Sequence, residues 1–119
     1  MNLDELVESI QIPDVLLKKQ LKGLVNNWKT DSSTIEELSN MIERWHGNVW
    51  FSSDNSSNLF YKNWCKFKIN AIDSINGMTL NERLYWFGLI EIWDKSDDNL
   101  QKKIRLKLNA GCIDSTKKM

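Results

Sequence analysis

Residues 79–93 read TLNERLYWFGLIEIW. Thr79 followed three positions later by Glu82 is the pattern of a capping box, in which the two side chains satisfy backbone N–H groups that a first helical turn leaves without partners. Beyond it, Leu80, Leu84 and Phe87 fall on one side of a helix and Trp86, Ile90 and Trp93 on another, so the segment is apolar round much of its circumference. This pattern predicts one continuous helix, the most buried of the fold. Gly88 would remove a side chain where a neighbour comes close.

The same 3.6-residue period extends outward in both directions. Towards the N-terminus, Leu59, Phe60, Trp64, Phe67, Ala71, Ile72 and Ile75 form the inner side of a fourth helix, stopped at Asn76-Gly77. Ile35, Leu38, Met41, Ile42 and Trp45 form a third, with Ser33 and Glu36 as its capping box. The second carries Val15, Leu16, Leu17, Leu21, Leu24, Val25 and Trp28, with Pro13 in its first turn and Gly23 at a close helix crossing. Leu3, Leu6, Val7 and Ile10 make a short first helix. Towards the C-terminus, Asp98 and Gln101 open a last helix holding Leu100, Ile104 and Leu108, with Gly111 as its end cap. Residues 47–58, GNVWFSSDNSSN, read as a loop, because Ser and Asn side chains compete for the local backbone. The expected fold is all-α: a single-domain irregular bundle of about six helices over residues 1–113, with 114–119 as a frayed tail.

Composition narrows the function. The chain has 119 residues and 16 acids against 16 bases, so the basic excess of a nucleic-acid binder is missing. Residues 1–60 hold nine acids and five bases, and 61–119 hold seven and eleven. That asymmetry serves either an interaction surface or mutual attraction of the two halves within the fold. His46 is the only histidine, and as a helix-terminal residue it suits the negative end of the dipole. With Cys65 and Cys112 distant from it, neither a zinc site nor a nucleophile–base pair is legible, and glycines at 23, 47, 77, 88 and 111 make no phosphate loop. No enzyme, metal or cofactor is expected. The acidic, amphipathic start MNLDELVESI reads as neither a secretory nor a mitochondrial signal, and no apolar run has the length of a membrane span. A cytoplasmic protein with reduced cysteines is the expectation.

The stretch 76–94, NGMTLNERLYWFGLIEIWD, resembles a C-terminal motif of small bacterial immunity proteins, including those encoded beside contact-dependent growth inhibition toxins and other polymorphic toxins. The matching positions are Gly77, Met78, Thr79, Asn81, Glu82, Arg83, Leu84, Tyr85, Gly88, Leu89, Trp93 and Asp94; Trp86-Phe87 is bulkier than the small residues expected before the glycine. The resemblance implies a cognate toxin, bound tightly as a 1:1 complex by a monomer, and a nuclease groove as its target.

A basic groove would be met by acids that steer association and by an aromatic anchor. The stretch 31–58 offers both. Asp31, Glu36, Glu37, Glu43 and Asp54 face one base, Arg44, and Trp50 and Phe51 lie in the Ser/Asn loop. These seven acidic and aromatic residues are the expected partner-binding set. Glu36 and Glu43, two turns apart, should share one face, with Lys102, Lys103 and Lys107 representing the opposite, basic half. The alternative is a small nucleic-acid-binding or regulatory adaptor, using Trp64 among Lys62, Lys66 and Lys68 as a stacking platform.

Overall fold

The computed structural model describes residues 1–110, so Gly111, Cys112 and the tail 114–119 lie outside the described residues. The described part is all-helical: α1 (Leu3–Glu8), α2 (Val15–Thr30), α3 (Ile35–Asn48), α4 (Asp54–Phe67), α5 (Leu80–Trp86), α6 (Ile90–Asp94) and α7 (Asp98–Lys107). Helix α4 runs on as a π-helical turn over Lys68–Ile72, and a 3-10 turn spans Ile75–Gly77.

The expected central helix is two helices, α5 and α6. Gly88 takes φ +67°, its N–H bonds to Tyr85 O at 3.2 Å, and the Leu89 N–H reaches back to Leu84 O at 2.8 Å. This is a Schellman ending, in which glycine adopts a left-handed conformation and the next apolar residue folds back onto the helix. Leu89 is accordingly fully buried. Helix α7 ends the same way, two residues before Gly111. Asn109 takes φ 57°, with N–H bonds from Asn109 to Leu106 O (3.2 Å) and from Ala110 to Arg105 O (2.7 Å). Asparagine is the commonest residue other than glycine to tolerate this conformation.

Helices α1, α3, α4, α5 and α7 start at side-chain caps, some displaced from their expected places. Thr79 and Glu82 form their box as expected, and Asn2 and Glu5 form another at α1. At α3 the box is Thr34 with Glu37, one residue later than Ser33 with Glu36. The cause is local: Asp31 Oδ1 accepts the Ser33 N–H at 2.8 Å and holds Ser33 in a turn. Pro13 stands ahead of α2, whose N-cap is Asp14. Ser53 caps α4, so residues 54–58 are helical and the loop shrinks to 49–53. Asp97 accepts the Leu100 N–H at 2.9 Å and caps α7.

The apolar stripes meet in a core that includes Leu3, Leu6, Leu21, Leu38, Ile42, Phe67, Phe87 and Ile104. Each fully buried side chain of this kind contributes roughly 1.5–3 kcal/mol. Trp28, Trp45 and Trp64 are buried, and each indole N–H finds an acceptor: Thr34 O at 2.8 Å, Gln20 Oε1 at 3.0 Å, and the Glu43 carboxylate. Three expectations fail. Gly23 marks no crossing, since a Cβ there would meet open space; Val15, Leu16 and Leu59 are exposed; and the stretch expected to be the most buried leaves Ile90 exposed, with no buried residue in α6.

Gly88 does mark a close approach. A Cβ at this position would run into Asp4 Oδ2 and lie 3.0 Å from Lys29 Nζ. Gly88→Ala should therefore cost about 2–3 kcal/mol, from the left-handed backbone and from displacing Asp4 off the buried Lys29 ammonium. Thermal melting checks this, and an unchanged midpoint would remove both causes.

Candidate protein-interaction surface

The loop 49–53 joins α3 to α4 and is pinned on both sides of Trp50. Val49 packs on the core. The Phe51 ring sits 6.0 Å from Trp45, 5.8 Å from His46 and 5.9 Å from Phe60. The Asp14 carboxylate, 7% exposed, accepts the Ser52 N–H at 2.8 Å and the Ser52 hydroxyl at 3.0 Å. Asp14 thus makes no side-chain cap for its own helix and clasps the loop to the start of α2. Between these anchors Trp50 is 93% exposed. An indole held out by a fixed backbone loses little conformational entropy on binding.

The clasp brings further exposed apolar groups to this end of the molecule. Ile12 and Leu16 flank Asp14 in sequence and are 84% and 78% exposed. Leu59, at 46%, shares with Asp14 and Phe51 the wall of a cavity of about 20 Å³. Sequence reasoning placed Ile12 nowhere and put Leu16 in the core. A signal for Leu16 existed: Leu17, Leu21, Leu24 and Trp28 form the stripe, and Leu16 is about 100° off it.

The acids do not gather into one face. Asp31 accepts from Lys107 Nζ at 3.1 Å and from the Ser33 N–H. Burial works against its ionisation, but Ser33 and Lys107 together hold the carboxyl below its usual range. Glu37 is spent in the α3 capping box. Glu36 accepts from Asn109 Nδ2 at 3.2 Å, beyond the end of α7. Glu43 turns to α4, where it accepts from Trp64 Nε1 and, at 3.1 Å, from the Tyr61 hydroxyl. That contact raises the Tyr61 pKa, because a phenolate would face a carboxylate. Glu36 and Glu43 therefore look to different neighbours. Asp54 is exposed in the first turn of α4. Much of the acidic excess thus serves cohesion within the fold. Trp50 and Asp54 project outward, while Phe51 is the anchor that holds the loop.

His46 lies in the last turn of α3, stacked on Phe60 at 5.8 Å, with Nε2 3.1 Å from Ser57 Oγ. A serine–histidine contact is the start of a nucleophile–base pair, but a catalytic one also needs a group that orients the imidazole and a pocket for the substrate. The described cavities are lined by neither residue. Among the described residues no group of three or more His, Cys, Asp or Glu side chains is placed to hold a metal ion, and no helix is long and apolar enough to cross a membrane. No protein-family model, curated protein or solved structure matches the chain.

Proposed function

We propose that this chain is an immunity protein that binds and neutralises a cognate bacterial toxin, a nuclease of the contact-dependent growth inhibition type, by stoichiometric protein–protein inhibition in the cytoplasm. The observation that carries the binding half of this reading is Trp50, fully presented on a loop pinned by Phe51 and the Asp14–Ser52 clasp. The toxin half rests on the resemblance of residues 76–94 to immunity proteins. In that stretch Thr79, Glu82, Gly88 and Leu89 start and stop a helix, so they supply framework. Contact falls to the opposite end of the α3–α4 pair: Trp50 at the centre, Ile12 and Leu16 on the neighbouring start of α2, and Asp54 as an outlying acid.

The test has two stages. The chain is co-purified with the product of the toxin gene next to its own, and toxin activity on RNA and DNA is measured with and without it. Failure to bind or protect rejects the immunity reading. In a complex that does form, Trp50→Ala should speed dissociation about 30-fold, the effect of an anchor of ~2 kcal/mol. Association should change little. A dissociation rate within twofold of the parent would move the interface away from this loop.

A further inference from the structure

A cleft of about 370 Å³ opens where the start of α1 and the last turns of α2 meet the break between α5 and α6. Its polar lining is Asn2, Asp4, Asn26, Lys29, Tyr85 and Glu91, with Gly88 at the break. Lys29 is the most deeply set of these, its side chain only 10% exposed and its Nζ 2.6 Å from Asp4 Oδ1. An ammonium carries three N–H donors, and Asp4 takes one. The Asn26 side-chain amide and the Tyr85 hydroxyl make no hydrogen bond to another described residue. The cleft therefore holds unspent donors beside two carboxylates, with Ile90 and the Tyr85 ring as its apolar part.

Charge decides what fits. Asp4 and Glu91 against Lys29 leave the lining one unit negative, so an anion reaching Lys29 must pass two carboxylates. A cation gains from that net charge but is repelled by the Lys29 ammonium at the deepest point, where the Asp4 carboxylate is already taken. An uncharged amide meets neither penalty. Its carbonyl can accept from donors such as Lys29 and Asn26, and its N–H can donate to a carboxylate such as Glu91. A ligand displacing water from a nine-tenths-buried ammonium must bring such an acceptor. We propose that this cleft binds a peptide segment through its backbone amides. The volume is at the small end for ligand sites and suits the tip of a loop. This inference does not depend on the immunity reading.

The probe is the blocked dipeptide N-acetyl-alanyl-alaninamide, titrated into the isotope-labelled full chain while backbone amide resonances are followed by nuclear magnetic resonance. Acetate and methylammonium are titrated in parallel. The dipeptide should shift Gly88, Glu91 and Ile92 saturably, with a dissociation constant on the order of 1–10 mM for so few atoms. Asn26→Ala and Tyr85→Phe alter exposed side chains and preserve the fold; each should weaken binding about fivefold. Lys29→Met should abolish it in protein whose helical spectrum is intact. No saturable shift at about ten times the expected constant overturns the proposal. Tighter binding of acetate makes the cleft an anion site, tighter binding of methylammonium makes it a cation site, and either result overturns it as well.

Discussion

Arg83→Met should lower the unfolding free energy by about 3–5 kcal/mol, a large part of the ~5–15 kcal/mol typical of a small domain. Arg83 is 1% exposed. Its Nε donates to Met78 O at 3.2 Å, and one terminal nitrogen donates to Leu108 O at 2.9 Å and Asn109 O at 2.8 Å. No carboxylate among the described residues pairs with it. Its charge is met by the negative end of α7, and its planar fork ties the start of α5 to that end. Burial pushes its pKa down, but a guanidinium stays charged at any ordinary pH. Replacing both members of a buried ion pair with apolar groups is often neutral. Here only the donor is removable, because the three acceptors belong to the backbone, and one of them, Leu108 O, would remain buried without a partner. The expected result is a fall in melting temperature of roughly 15 °C. Arg83→Lys should recover less than half of it, since one ammonium cannot span Met78 and Asn109 together. A melting point within about 2 °C of the parent would mean that water replaces the guanidinium at those carbonyls.

The fold class was legible because helical period and caps agree along most of the chain. Thr79 with Glu82 needed no tertiary information, and neither did the Leu17-Leu21-Leu24-Trp28 stripe. What escaped was where helices stop. Periodicity continues across Gly88, since Trp86, Ile90 and Trp93 keep helical spacing whether or not the chain breaks between them. The stop is written in the order of residues, a glycine followed by the buried Leu89, which is the signature of a Schellman ending. Asn109 with Ala110 repeats it, and Gly111 drew attention away.

The candidate site was half legible. Trp50 stood out because no helical stripe claimed it, and it is exposed. A count of charges does not say which acids the fold engages. Glu37 sits at the third helical position after Thr34, a locally readable fact obscured by the competing Ser33–Glu36 pair. The engagement of Asp31 by Lys107 and of Glu43 by Trp64 spans 76 and 21 residues, and no local pattern encodes it. The clasp of Asp14 on Ser52, 38 residues away, is likewise invisible before the chain is folded.

Lys107 belongs to the basic C-terminal half, yet its side chain is only 1% exposed. Its Nζ donates to Trp28 O, to Ser33 O at 2.6 Å and to Asp31 Oδ1 at 3.1 Å, and lies 4.3 Å from the Trp28 ring centre. Lys103 Nζ reaches Thr30 O at 2.9 Å, so α7 places two ammonium groups on the C-terminus of α2. Lys107→Met should cost about 2–4 kcal/mol, because the buried Trp28 carbonyl, the part-buried Ser33 carbonyl and Asp31 lose their donor. Lys102→Met, at an exposed position, should cost less than about 0.5 kcal/mol. The pH profile separates the contributions. Asp31 titrates below its ordinary 3.8 in the folded chain, so its share of stability is complete above that value and is lost as pH falls through the folded one. Desolvation lowers the Lys107 pKa against the pull of Asp31, so the folded chain gives up this proton before the unfolded chain does. Stability from this group therefore rises with pH from the folded value up to 10.5. In Lys107→Met the alkaline rise should vanish, and the acid loss should shrink towards what Ser33 alone supports. Chemical denaturation across pH measures both limbs. If both limbs persist unchanged in the variant, other groups set the pH dependence and the Lys107–Asp31 contact contributes nothing to it.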